Sequence, residues 1–318
     1  MPFDLQVFNK QTYVSMTETV AQDVAKFNEA SQGTIVLLND PFNGDFDLKA
    51  SFKAIQGIVR RRNAYGSGNV PSKRLEQMLD VAVKVAAGTP PIEYEVQQYQ
   101  WILQNPELAA LTIGEQLGKA KIADMLNAGI LGTVSAISGN AAAVEGDGTA
   151  DPSFRLLNRG AGRMGDRSGA LRSWIVHSTT IHNLYDNALA NTERLFNYDG
   201  VNVIRDPFGR VFVITDSPAL INDDTDTPYF NSLGLVEEAI VIKDNKDFNA
   251  ELVPTTGGEN LKYTYQGEWT YGVGVKGYAW DMANGGKSPN DASIGTPTNW
   301  DLIASSIKDT AGVLVKSK

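Results

Sequence analysis

The chain has 318 residues, 42% hydrophobic and 20% charged, the balance of an ordinary globular protein, and its length implies two compact units or one large elongated one. Its formal net charge of −9 excludes a polycation that seeks phosphate over its whole surface. The absence of cysteine excludes disulfides and thiolate metal sites and fits folding in a reducing compartment. The start, M-P-F-D-L-Q, lacks the basic patch and apolar core of a signal peptide, and no window reaches the roughly 18–20 apolar residues that span a bilayer. The expectation is a soluble protein made where it is used, with no membrane partner.

In chain order, an arm with few apolar anchors (Phe3, Leu5, Phe8) precedes a helix predicted over Ser15–Ser31. Ser15 and Glu18 have capping-box spacing, and Val20, Val24 and Phe27 repeat with helical period. Gly33 is placed to end that helix, and T-I-V-L-L then reads as a short buried strand. From about Gly44 to Pro91 two runs flank a glycine-rich tip that carries Arg60, Arg61, Arg62, Lys73 and Arg74 with no acid among them. Val81, Val83 and Val85 alternate on the return run, which suggests a long hairpin-like excursion. Its tip has too little apolar bulk for a core, so ordering it is costly unless it lies on something. After Pro90 and Pro91, Ile92, Tyr94 and Val96 share one face of a strand.

The strongest helical stretch runs from about Thr112 to Ser138, about 40 Å at 1.5 Å per residue. Ile113, Leu117 and Ala120 make one stripe, interrupted by Asp124, and Ile122, Leu126, Ile130, Val134 and Ile137 make a longer one, so it should pack between layers. A low-complexity stretch, G-N-A-A-A-V-E-G-D-G-T-A-D, then reads as a boundary. A glycine loop follows, then a helix predicted from about Leu171 to Thr192 with Leu171, Ile175, Ser178, His182, Tyr185 and Leu189 on one face. R-V-F-V-I-T and E-E-A-I-V-I-K read as buried strands. In L-K-Y-T-Y-Q-G-E-W-T-Y-G-V-G-V, Tyr263, Tyr265, Trp269, Tyr271, Val273 and Val275 keep strict period-two alternation. That run extends over about thirteen residues, or roughly 43 Å, twice the usual strand.

Asn158–Gly169 contains Gly160, Gly162 and Gly165 at G-x-G-x-x-G spacing, with Arg155, Arg159, Arg163 and Arg167 every four residues. A dinucleotide fingerprint must follow a buried strand and open a helix, which D-P-S-F-R-L-L-N-R does not provide. The glycines argue against a regular helix, and the expected form is a flexible cationic loop. In N-G-G-K-S-P the first P-loop glycine is replaced by Asp281, and Pro289 stands where the helix must begin, which leaves a surface turn. The two histidines, His177 and His182, have a five-residue gap that does not suit paired metal ligands, and His182 is expected on the apolar stripe, partly buried. Asp223, Asp224 and Asp226 lack the glycine of a calcium loop and read as a solvated face or the complement of a basic surface. No catalytic, cofactor-binding or metal residue is singled out, and the expectation is that the protein is not an enzyme.

The order of these elements resembles the major capsid protein of tailed phages, the Hong Kong 97-type α+β fold that encapsulin shells share. The resemblance is carried by S-W-I-V-H-S-T-T-I-H-N-L-Y with F-G-R-V-F-V-I-T-D-S-P-A-L, and by the ending G-V-K-G-Y-A-W-D-M-A-N-G-G-K-S-P-N-D. It implies an N-terminal arm at 1–42, an extended loop at 43–91, a peripheral domain with its spine helix at 92–149, an axial domain at 150–260 and a return to the peripheral domain at 261–318. It implies further a head shell built from hexamers and pentamers of this chain around packaged double-stranded DNA, without sequence-specific binding or a cofactor. Scaffolding and portal proteins are implied partners, and the location is the virion after assembly in the host bacterial cytoplasm. Inter-subunit contacts are expected at Arg60, Arg61, Arg62, Lys73, Arg74, Arg159, Arg163 and Arg167. The competing readings are an encapsulin-like shell, a tail-tube component and a nucleotide-binding enzyme that uses Gly160–Gly165.

Overall fold

The computed structural model describes residues 10–20, 28, 31–52, 59–72, 77–95, 106–190, 209–223 and 228–318. Helix α1 covers 10–20 and buries Thr12, Met16 and Val20 at four-residue intervals. It begins before the predicted Ser15 start. Ser15 lies inside the helix, and its hydroxyl donates across to the carbonyl of Leu111 (3.0 Å), so it is a tether between helices instead of a cap. Gly33 has φ +69°, and its N–H donates to the carbonyl of Asn28 (3.1 Å), as a helix-terminating glycine does.

Among the described residues, two sheets carry the rest. The larger has nine strands centred on β12 (Lys262–Val275), the alternating run expected from sequence, with Tyr265, Trp269, Tyr271, Val273 and Val275 buried. On the path β1–β10–β12–β13–β14, β1 (Ile35–Leu38) pairs parallel with β10 (Ile240–Asp244), and β12 continues to β13 (Tyr278–Trp280) and β14 (Trp300–Leu302). Strand β12 also pairs with β3 (Gln77–Gly88), β4 (Ile92–Glu95) and β11 (Asn249–Thr255). Strand β2 (Phe46–Phe52) pairs antiparallel with β3 from Phe46–Val83 to Phe52–Gln77, so the excursion is a true hairpin.

Helix α2 (Pro106–Ser138) starts earlier than predicted and is about 50 Å long. It packs on both β10 and β12, and on β14 near its end. Ile122, Met125, Ile130 and Ile137 are buried, as is Lys121, whose ammonium donates to both carboxylate oxygens of Asp244 at 2.8 Å. The stripe-breaking Asp124 accepts a hydrogen bond from the Tyr271 hydroxyl (3.0 Å). Burial raises the pKa of both groups, and on Tyr271 the adjacent carboxylate adds to it.

The second sheet has the order β5–β15–β9–β6–β7 with β8 on β9. Its strands are β5 (Val144–Glu145), β6 (Ser173–Val176), β7 (Val211–Ile214), β8 (Ile221–Asn222), β9 (Tyr229–Leu235) and β15 (Gly312–Ser317). Strand β6, with all four residues buried, corrects the helix expected from Leu171. A short buried strand and a helix turn share the same apolar content, and periodicity cannot separate them. The helix starts only at Ser178, as α4 (Ser178–Ala190), and its buried face is Thr180, Ile181 and Leu184. His182 is therefore exposed, contrary to expectation, because the true start rotates the apolar face away from it. A hydrogen bond between the hydroxyls of Thr34 and Ser173 (2.7 Å) ties the two sheets.

Candidate interaction surfaces

The glycine-rich stretch resolves first. Ser153 caps an α-helix, α3 (Phe154–Gly162), by accepting from the N–H of Leu156 (3.2 Å). A 3-10 helix (Gly165–Ala170) follows. The expected flexible loop is thus helical, because Gly160 serves packing. A Cβ there would lie 2.3 Å from Val315 Cγ2, so only glycine lets α3 approach β15 this closely. Gly165 turns the chain at φ +58° between the helices. Gly160→Ala is expected to cost about 1–3 kcal/mol despite alanine's better helix propensity, since the buried, β-branched Val315 cannot move freely. Urea unfolding of unassembled subunits would read it.

The arginines of this stretch divide. Arg159 and Arg163 both close on Glu145 of β5, at 2.6 Å each, and its side chain is only 6% exposed. Two guanidiniums offset the desolvation of one buried carboxylate. Arg167 points elsewhere, donating to Asp309 and to the carbonyl of Lys308 (3.2 Å). It lines an open cleft of about 490 Å³ with Arg172, Arg210, Lys276 and Lys308.

The hairpin is anchored at its root and bare at its tip. At the root, Lys243 of β10 pairs with Asp47 of β2 and lies 3.6 Å from Asp40, while Lys287 pairs with Asp45 (2.8 Å). Burial works against the charge on Lys243, yet the bond and charge of Asp47, with Asp40, outweigh it and hold its pKa above the usual lysine value. Asp80 of β3 lines a cavity of about 410 Å³ together with Asp47 and Lys243; burial raises its pKa, opposed by Lys49. Beyond the root, every residue from 59 to 72 is exposed, with Tyr65 at 98%. Arg60, Arg61 and Arg62 are among them, and no carboxylate of the described residues pairs with them. Lys73 and Arg74, like Asp224 and Asp226, lie outside the described residues.

His177 stacks on Phe230 (centroids 5.0 Å apart), and its Nδ1 accepts from the N–H of Thr179 (3.2 Å). The N-G-G-K-S-P turn is held by the Trp280 indole donating to the Gly286 carbonyl (3.0 Å). Among the described residues no group of three or more His, Asp or Glu is placed to hold a metal ion, and no helix is long and apolar enough to cross a membrane. Sequence reasoning missed Glu145 and the cleft residues Arg172, Arg210, Lys276 and Lys308. They come from separate elements, and only the fold collects them.

A family model described as "Major capsid protein 13-like" matches residues 4–314. No curated protein matches the chain. Among solved structures, a chain from Microbacterium phage Oxtober96 superposes with TM-score 0.51 at 12% identity, over 91% of each chain, and shares the fold. A chain of the Cyanophage Pam1 capsid asymmetric unit matches at 11% identity and TM-score 0.48, over 76% of this chain and 84% of that one. A chain of the capsid of Myoviridae phage XM1 matches at 11% identity and TM-score 0.45, over 90% of each.

Proposed function

Because the chain belongs to the Gp13-like family of major capsid proteins, we propose that it builds the icosahedral head shell of a tailed phage by repeated contacts between copies, with the β2–β3 hairpin as a reaching arm. The observation that carries the arm is its asymmetry: a root fixed by two ion-paired lysines, and a tip with three exposed arginines that no carboxylate of the described residues pairs with. Such a tip is stabilised when it lies on a neighbour. Arg60, Arg61 and Arg62, continued in sequence by Lys73 and Arg74, meet carboxylates of the adjoining subunit in this reading. Each such pair is weak at an open surface, about 0–1 kcal/mol, and becomes consequential through repetition and partial burial.

The copies group as hexamers and pentamers. The arm occupies 1–42, the extended loop 43–91, the peripheral domain 92–149 with 261–318, and the axial domain 150–260. The sheets interleave these segments, since β10 and β11 join β12, while β5 and β15 join β9 through the second sheet. The role is structural, not catalytic. Double-stranded DNA is enclosed without sequence-specific contacts, in keeping with a net charge of −9. Scaffolding and portal proteins are the further partners, and assembly takes place in the host cytoplasm. Reversing Arg60, Arg61 and Arg62 to glutamate is expected to leave the subunit's thermal unfolding unchanged and to lower shell yield by about tenfold or more. Sedimentation of the assembled fraction reads it, and wild-type yield would remove the arm's charge contact.

A further inference from the structure

We infer that Asn43–Gly44, at the root of the hairpin arm, is a self-modifying joint. Asn43 loses its side-chain amide through attack by the Gly44 backbone nitrogen, while the chain's other Asn–Gly pair, Asn284–Gly285, is held against the same reaction. This is covalent chemistry of the root, and it stands apart from whatever the arm touches in a shell. Glycine after asparagine puts no Cβ in the path of the side-chain carbonyl, and its freedom in φ lets the following nitrogen swing toward it. By that rule the two pairs rank alike. The fold separates them.

Asn43 and Gly44 are an exposed span between two anchors. Before them, Phe42 donates its N–H to Asn245 Oδ1 (3.1 Å), and its ring lies on β12, where a Cβ at Gly272 would meet it at 2.5 Å. After them, the Asp45 carbonyl accepts from the N–H of Lys84 on β3 (3.0 Å), and its carboxylate pairs with Lys287 (2.8 Å). Between the anchors, no hydrogen bond among the described residues engages the Asn43 side chain or the Gly44 N–H. Gly44 has φ +99°, and a Cβ there would meet nothing within 4 Å. Nucleophile and amide are therefore free to turn toward each other. Asn284 is exposed too, but its pair is bonded at the atoms the reaction needs. The Gly285 N–H donates to the Asp281 carbonyl (2.9 Å), and Asn284 Nδ2 donates to Asp281 Oδ2 (2.5 Å). Gly285 is also pressed against Trp280, 2.3 Å from its would-be Cβ.

In the reaction, Gly44 gives its amide proton to hydroxide, and its nitrogen bonds to Asn43 Cγ. The Cγ–Nδ2 bond breaks, and Nδ2 leaves as ammonia with a proton taken from water, which closes a five-membered imide. A second water opens that ring. Attack at Cγ gives aspartate, and attack at the main-chain carbonyl carbon gives isoaspartate. Nothing is oxidised or reduced; the net change is one water consumed and one ammonia released. Either product adds a negative charge two residues before Asp45, among the acids that hold the lysines of the root. Isoaspartate also threads the backbone through the side-chain methylene, so the span between Phe42 and Asp45 gains one carbon just where β2 begins.

The test is peptide mass mapping of unassembled subunits kept in mildly alkaline buffer, where the Gly44 amide is more readily deprotonated. A gain of about 1 Da is expected at Asn43, divided between aspartate and isoaspartate. It should appear about tenfold faster or more than at Asn284, which is what one hydrogen bond kept on the nucleophile is worth in a rate. Enzymatic methylation of the isoaspartyl carboxylate counts that product separately. The same chain unfolded in urea is expected to convert both pairs at similar rates. Asn43→Gln is expected to remove the product at this position and to leave thermal unfolding and Asn284 unchanged. An Asn43 that stays intact in the folded subunit while converting in urea, or equal rates at the two pairs in the folded subunit, overturns the inference. Loss of the tip contact at Arg60–Arg62 would not alter these rates, so the two readings fail separately.

Discussion

Asp244→Ala is expected to lower the unfolding free energy by about 3–5 kcal/mol, the largest effect of any single side-chain truncation considered for this chain. Lys121 projects from the middle of α2 into the layer between helix and sheet, and its side chain is 2% exposed. Asp244 ends β10, 6% exposed, and takes the ammonium on both oxygens at 2.8 Å while also accepting from the N–H of Lys246 (3.0 Å). Removing the carboxylate strands an ammonium in the core with nothing to replace water. The pair itself need not stabilise the fold relative to an apolar pair. Lys121→Met combined with Asp244→Leu is therefore expected to recover most of the loss, because desolvating two charges offsets much of their attraction. Urea unfolding of unassembled subunits, run as a double-mutant cycle, separates the two statements. Equal losses for the single and double variants would show that packing, not the stranded charge, sets the cost.

Gly312→Ala is expected to cost on the order of 3 kcal/mol or more and to lower the melting temperature by several degrees. Gly312 opens β15 at φ +149°, and a Cβ there would fall 1.9 Å from the carbonyl oxygen of Gly234. The obstacle is backbone, so no side chain can rotate away; the β9–β15 ladder would have to part at Leu235. Gly162→Ala is the matched control. It has nothing within 4 Å of its would-be Cβ, and the change should be neutral or slightly stabilising. Thermal unfolding of both variants decides whether glycines in this chain are there for contact or for composition.

The long elements were legible because their patterns outlast local ambiguity. β12 alternates over its full length, and α2 carries two apolar stripes that its burial reproduces, except for the exposed Ala120. The hairpin was legible from two runs around a polar tip. Short elements were not. Ser173–Val176 contains as much helical as strand signal, and its identity is fixed by the N–H of Arg172 donating to the carbonyl of Leu235, a partner 63 residues downstream that no local pattern announces. Ser15 and Glu18 have capping spacing, but helix α1 begins upstream and Ser15 bonds across to α2.

The same distinction holds for the charged surfaces. The tip arginines could be named because they are consecutive in sequence. Arg159 and Arg163 were named for their spacing, yet the structure engages both with Glu145 in a buried-carboxylate cluster. The G-x-G-x-x-G spacing proved to be one close helix–strand contact and one left-handed turn. Arg172, Arg210, Lys276 and Lys308 had no local signal, since four segments distant in sequence bring them to one cleft.

The central claim is that this chain assembles into closed shells. Electron microscopy of the purified, untagged protein, with the particle mass from light scattering, tests it most directly. Closed icosahedral particles are expected, from the chain alone or on adding its scaffolding protein. A uniform monomer that stays monomeric with that partner present, or stacked open rings in place of closed shells, would contradict it.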